Sequence, residues 1–162
     1  MSDQNGNMKT IELHENGLDI QFRIRENGVV ELADFSSQEV KKAVMEPKDD
    51  ICYPAVEIHR SGTGSLNMHA YKNNINQSSV DFVYENHELK AQAGGKELEI
   101  VMISPEKLKA VYHMRLFDGV PAVQTWTEII NEGSEDQGLT YVSSFMYQGI
   151  SRGGEKPYYK KT

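Results

Sequence analysis

The side chains best suited to chemistry surround Trp126, the single tryptophan of the chain. Gln124 and Glu128 stand two residues before and after it, so a β-strand would place all three side chains on one face. An indole ring offers apolar contact to a sugar ring, while an amide and a carboxylate can bind the sugar hydroxyl groups. We therefore take Trp126, Gln124 and Glu128 as candidate carbohydrate contacts. A tryptophan in the core or between domains is the commoner arrangement and the alternative interpretation.

The five histidines do not fall into the spacing of a metal site, and we expect neither a metal ion nor another cofactor. His59 and His69 flank one predicted turn and could approach each other across a hairpin. A sandwich enzyme acting on sugar anomers would need a histidine and a glutamate together. The candidates for that arrangement are His59, His69 or His113 with Glu128.

Other catalytic groups do not stand out. No serine lies in a nucleophile elbow, and no glycine-rich loop has the pattern of a phosphate-binding site. Cys52 lies in an apolar segment, which favours a buried packing residue over a nucleophile. A glycosidase needs two carboxyl groups at a fixed separation, and the sequence singles out no such pair, so we predict no catalytic residue. Four acidic residues alternate with apolar ones, as outward-facing strand positions do: Asp81, Glu97, Glu99 and Glu128.

Turn signals between apolar runs predict consecutive β-strands. Asp118 and Gly119 tolerate the positive φ of a tight hairpin, and residues 131–136 mark the next turn. Residues 18–25 alternate apolar and polar side chains, and residues 26–28 turn them into a following strand. Because such turns recur at intervals of roughly 8–12 residues, the predicted fold class is all-β, an antiparallel β-sandwich.

Several further elements are predicted from the same patterns. Residues 37–44 fit a short helix capped by Ser37. Residues 108–116 fit either a helix or a strand, and we prefer the strand because the turn at Asp118 needs two flanking strands. The remaining strands form two hairpins and one buried strand: residues 55–58 with 66–71, residues 80–84 with 88–92, and residues 98–103. An apolar stripe on one face is predicted to be core: Leu139, Tyr141, Phe145 and Tyr147.

Length and charge limit the class of protein. With 162 residues the chain is long enough for one domain with a real core. A net charge of -7 argues against nucleic acid or an anionic membrane as the main partner. The chain carries no secretory signal and no apolar run of membrane-spanning length, so a cytoplasmic location is expected. The expected boundaries are a disordered tail at 1–7, a β-sandwich at 8–150, and a tail or linker at 151–162.

Three segments resemble the N-terminal domain of glycoside hydrolase family 36 α-galactosidases. Residues 53–58 (YPAVEI), followed by Gly62 and Tyr71, are similar to its early strands. Residues 120–133 (VPAVQTWTEIINEG) resemble a segment in which arginine is common near the position of Gln124, and residues 139–145 continue it. The resemblance extends from about residue 18 to residue 150.

The resemblance implies a galactose-mutarotase-like β-supersandwich that precedes a catalytic (β/α)8 barrel. In that family the barrel carries the catalytic aspartates; neither motif is present here, so no catalytic residue is carried over and a truncated N-terminal domain is expected. Such a domain would pack on the barrel, support the rim of the substrate pocket and make oligomer contacts. The parent reaction would be hydrolysis of terminal α-linked galactose through a covalent intermediate.

Other functions remain open at this stage. A free-standing carbohydrate-binding module would use Trp126 to bind galactosides. A structural or assembly domain would self-associate and bind no sugar. The expected partners are therefore the barrel of the parent chain, galactosides and further copies of the chain.

Overall fold

The structure is a computed structural model that describes residues 9–37, 53–64 and 77–147. Within these ranges the chain forms nine strands and one short helix. The predictions for Cys52, His69, the strand at 66–71 and the two tails lie outside the described residues. So does the predicted helix at 37–44, except for Ser37, which ends a strand.

The first sheet is an antiparallel meander of three strands. It consists of β1 (Lys9–Glu15), β2 (Leu18–Ile24) and β3 (Val30–Ser37), in the order β1-β2-β3. The predicted strand at 18–25 and its turn at 26–28 are confirmed. Next along the chain come β4 (Ile58–Arg60) and α1 (Gln77–Val80). In the described part of the chain, no helix is long and apolar enough to cross a membrane.

The second sheet is built from consecutive hairpins. Its strands are β5 (Val83–Gln92), β6 (Gly95–Ile103), β7 (Leu108–Phe117) and β8 (Val123–Asn131), in the order β5-β6-β7-β8. The turn between β7 and β8 contains Gly119 at a φ of 70°, as the Asp-Gly signal predicts. The predicted hairpin at residues 80–92 is wrong, because residues 83–92 form one continuous strand with a bulge. Residues 83–92 pair with β6 on both sides of this bulge, so the chain does not turn at residues 85–87.

The two sheets pack face to face around one core. Phe22 of β2 and Tyr112 of β7 meet edge to face, with ring centroids 5.7 Å apart. The inner face of β7 confirms the predicted strand and its apolar period of two: Leu108, Ala110, Tyr112, Met114 and Leu116 are all buried. The fold is thus an all-β antiparallel sandwich, as predicted.

A side-chain amide joins the ends of the two sheets. Asn16, in the turn after β1, donates from Nδ2 to the carbonyl of Phe117 at 2.9 Å. Its Oδ1 accepts from the backbone amide of Gly119, also at 2.9 Å. Both turns are therefore held in one position relative to the core.

The last described strand, β9 (Leu139–Val142), pairs antiparallel with β4. The predicted core stripe is wrong for three of its four members, since Leu139, Tyr141 and Phe145 are 41%, 49% and 40% exposed. The strand ends at Val142, so the period of two does not continue to Phe145 and Tyr147. The side chain of β9 that packs against the core is Val142, on the opposite face.

Candidate functional site

The outer face of the second sheet carries a group of ionisable and aromatic side chains. The apolar residues of β6 and β7 face the core, so the alternate positions face outward. The strand register pairs Glu99 with His113 and His113 with Trp126. We call Glu97, Glu99, His113, Trp126 and Glu128 the outer-face cluster.

Trp126 lies flat against His113. The ring centroids are 4.6 Å apart and the planes differ by 4°, so the rings are stacked across the two strands. One face of the indole is therefore covered by the imidazole, and the side chain is half-buried. Such a cross-strand stack fixes the orientation of both rings.

His113 is surrounded by carboxylates. Its Nδ1 lies 2.9 Å from Glu97 Oε1 and 3.9 Å from Glu99 Oε1. Because an ionised carboxylate can only accept a hydrogen bond, Nδ1 carries the proton that binds Glu97. The other ring nitrogen, Nε2, lies 3.7 Å from Glu128 Oε1 and is buried without a hydrogen-bond partner among the residues that the structure describes.

The carboxylates of β6 are also held from β5. Gln92 Nε2 donates to Glu97 Oε2 at 2.7 Å. Lys90 Nζ pairs with Glu99, and this hydrogen bond raises the pKa of Lys90. His113 and Glu97 are each only 6% exposed, so their hydrogen bond is shielded from solvent.

The structure brings the three predicted carbohydrate contacts together. Gln124, Trp126 and Glu128 share the outer face of β8, with Gln124 and Glu128 exposed. The interpretation of Trp126 as a core residue is wrong, because its side chain lies on the outer face of the sheet and is not part of the core cluster. Whether the three side chains bind sugar stays a prediction.

The structure also locates the residues of the predicted His/Glu set and Asp81. His113 and Glu128 do meet, as the His/Glu candidate set requires, at 3.7 Å. His59 lies in β4, bonded to Glu57 at 2.9 Å and tilted against Tyr141. Asp81 is not an outward-facing strand residue, since it precedes β5 and pairs with Arg60.

Sequence reasoning missed the grouping of Glu97 and Glu99 with His113. It placed both glutamates correctly on an outer face but left them as solvated strand positions. The signal was the pair of glutamates two residues apart on β6. Only the register of the following hairpin, which sets Glu99 opposite His113, turns that pair into a cluster.

Comparison with known proteins gives matches among solved structures alone. No family model matches the sequence, and no curated protein is similar to it. The chain is similar to the glycoside hydrolase family 36 α-galactosidase AgaA from Geobacillus stearothermophilus, with a TM-score of 0.48, 12% identity, and coverage of 78% of this chain and 23% of that chain. For a doubly substituted form of AgaA in complex with raffinose, the TM-score is 0.47, the identity 11%, and the coverage 77% and 22%. The chain thus spans less than a quarter of the length of these structures, which are of the family that its motifs resemble.

Proposed function

We propose that this chain is a non-catalytic β-sandwich domain of an α-galactosidase-like glycoside hydrolase. The domain packs on the catalytic (β/α)8 barrel of its parent and supports the rim of the substrate pocket and oligomer contacts. Hydrolysis belongs to the parent enzyme, and no residue of this chain takes part in the chemical step.

The proposal rests on one observation: the three segments that resemble the family 36 N-terminal domain come together at the buried Ser143. The Ser143 amide donates to the Glu57 carbonyl at 2.8 Å, and the Glu57 amide donates to Ser143 Oγ at 2.8 Å. Thr127 Oγ1 donates to the Ser143 carbonyl at 2.9 Å. We call Glu57, Thr127 and Ser143 the Ser143 joint. Its bonds use backbone groups and hydroxyls, which suits a structural role for the resembling motifs.

Three exposed apolar residues lie close to Ser143 in sequence, and we refer to them as the apolar surface. Leu139, Tyr141 and Phe145 expose two-fifths to one-half of their surface within seven residues of sequence. Single exposed apolar residues are ordinary, but a group of them favours a surface that another domain covers. We assign this surface to the barrel of the parent chain.

The reading frame beyond Thr162 is the first test. A continuing frame that encodes a barrel with paired catalytic aspartates is expected, and a stop codon would overturn the proposal. Purified alone, the 162-residue chain should not hydrolyse 4-nitrophenyl α-galactoside. Turnover by the chain itself would overturn the non-catalytic assignment.

The apolar surface is tested in the whole parent protein. Tyr141→Ser and Phe145→Ser should lower the temperature at which α-galactosidase activity is lost by more than they lower the unfolding temperature of the isolated chain, because each removes barrel contact in addition to its ring contact with His59 or Phe35. Val120→Ser is the matched control, since Val120 is 49% exposed but lies in the turn between β7 and β8. Equal effects of all three substitutions would contradict the assigned surface.

A carbohydrate-binding module is the second candidate function. It is favoured by the alignment of Gln124, Trp126 and Glu128 on one face, with the indole held flat by His113. Galactose and raffinose should then shift the fluorescence of Trp126, the single tryptophan, and Trp126→Ala should abolish binding measured by calorimetry. Ile130→Ala, on the same face of β8, is the matched control. The absence of saturable binding to either sugar would reject this function.

A further inference from the structure

We propose that Glu97, Glu99 and His113 bind a divalent transition-metal ion of the zinc class. The ligands stand on β6 and β7 and are independent of the proposed packing on the barrel, whereas the supporting residues Trp126 and Glu128 are shared with the sugar-binding candidate. One imidazole and two carboxylates form a mixed nitrogen and oxygen donor set, which suits Zn²⁺ or Co²⁺ better than the all-oxygen preference of Ca²⁺.

The donor atoms are already close enough to share an ion. One ligand atom from each of the three residues lies within 4.8 Å of the other two. His113 Nδ1 is 2.9 Å from Glu97 and 3.9 Å from Glu99. Ligands at about 2.0–2.1 Å from a tetrahedral ion stand roughly 3.4 Å apart, so the site needs only small side-chain movements.

The unpartnered nitrogen of His113 is the second observation that points to a metal. With Nδ1–H bound to Glu97, a neutral ring leaves the Nε2 lone pair buried beside the Glu128 carboxylate, 3.7 Å away. When Nδ1 binds an ion, the ring proton moves to Nε2 and can be donated to Glu128. This arrangement of carboxylate, histidine and metal is the usual one in proteins, and it satisfies a buried atom that otherwise has no partner in the described part of the chain.

The surroundings hold the ligands in place. Trp126 fixes the plane of the imidazole by stacking, and Gln92 holds the second oxygen of Glu97. Glu97 and Glu99 lie two residues apart on one strand, so their carboxylates emerge from the same face. Ligands that stand on strands and are supported by neighbouring side chains are positioned more precisely than ligands on loops.

The ammonium group of Lys90 competes with a metal ion for the carboxylate of Glu99. Its ammonium group pairs with Glu99, and its side chain is 39% exposed. Metal binding must displace this ammonium group into solvent, which the exposure allows. Removal of Lys90 should therefore tighten metal binding, whereas loss of an ordinary surface lysine should not.

The experiment is calorimetric titration of the full chain, free of any polyhistidine tag and treated with chelator, with ZnCl₂. One Zn²⁺ per chain is expected, and Co²⁺ should quench Trp126 fluorescence because the indole stacks on a ligand. Ca²⁺ and Mg²⁺ should give no comparable heat. The absence of saturable Zn²⁺ binding at one ion per chain would overturn the proposal.

Four variants separate this site from adventitious binding. Glu99→Gln should weaken Zn²⁺ binding by more than tenfold, and Glu128→Gln by about tenfold through loss of the negative charge that faces His113 Nε2. Lys90→Ala should strengthen it. His59→Gln, which removes the half-buried His59–Glu57 pair, is the control and should have no effect. Unchanged affinity in Glu99→Gln, or loss in His59→Gln, would refute the assignment; thermal unfolding of each variant checks that it is folded.

Discussion

The contact between Phe22 and Tyr112 joins the two sheets across the core, and a double-mutant cycle measures its strength. Both rings are at most 1% exposed and meet edge to face. Phe22→Leu removes three carbon atoms from the core, at a cost of about 2 kcal/mol. Tyr112→Leu should cost about 3 kcal/mol, because it removes a larger buried ring from the core. Burial raises the pKa of Tyr112, so the phenol stays protonated throughout the measurement.

The double variant should lose about 4 kcal/mol rather than the sum of the single losses. The difference of about 1 kcal/mol is the edge-to-face interaction, which either single substitution already removes. Urea unfolding followed by Trp126 fluorescence and far-ultraviolet circular dichroism gives the free energies, with unchanged m-values as the check on two-state behaviour. Phe22→Leu combined with Ile130→Ala is the control and should be additive, since Ile130 faces solvent. A coupling of less than about 0.3 kcal/mol between Phe22 and Tyr112 would refute the packing of the sheets.

Two further predictions concern the turns. Gly95→Ala should prevent folding or lower the free energy of unfolding by more than about 3 kcal/mol, because its Cβ would lie 1.9 Å from a backbone carbonyl oxygen of β7. Gly94→Ala is the control: its φ is 78° but no atom lies near the added Cβ, so urea unfolding should show a loss of only about 1–2 kcal/mol, and equal losses for the two variants would contradict the prediction. For Glu106, partial burial alone would raise the pKa, but hydrogen bonds from its own backbone amide and from Arg60 lower it. The stabilisation by Glu106 is therefore present above the ordinary glutamate pKa and is lost as the pH falls through the lower folded pKa. The stability difference between wild type and Glu106→Gln should accordingly shrink from about pH 6 to about pH 3, and a constant difference would contradict the pKa direction.

Local signals in the sequence predicted the strands that have a buried face and a tight turn. The period of two in residues 108–116 identified the inner face of β7, and Asp118 with Gly119 identified its hairpin. β5 was divided wrongly because it is an edge strand with little buried surface, so its side chains carry no apolar period. Backbone hydrogen bonds to β6 hold β5 in the sheet, and such bonds do not require any particular sequence of side chains.

The candidate site depended on register, which the sequence alone does not supply. The outward positions of Glu97, Glu99 and Glu128 followed from alternation, and so did the shared face of Gln124 and Trp126. Their approach to His113 required the pairing of three strands, set by the lengths of two turns. A shift of one residue in the β6–β7 pairing would have separated the imidazole from Glu97 and Glu99, and a shift in the β7–β8 pairing would have placed Trp126 and Glu128 on the other face.

The pairing of β4 with β9 has a consequence for the order of events during protein synthesis. Both large sheets are made of neighbouring hairpins and can assemble as the polypeptide leaves the ribosome. β4 cannot, because its partner is encoded about eighty residues later, as the 86-residue separation of Glu57 and Ser143 indicates. Closing so long a loop costs about 2 kcal/mol more than closing a loop of about ten residues, which favours late pairing. We expect Ile58 to remain without its β9 partner until residues 139–142 have left the ribosome, so that this apolar position of β4 is open to chaperones during that interval.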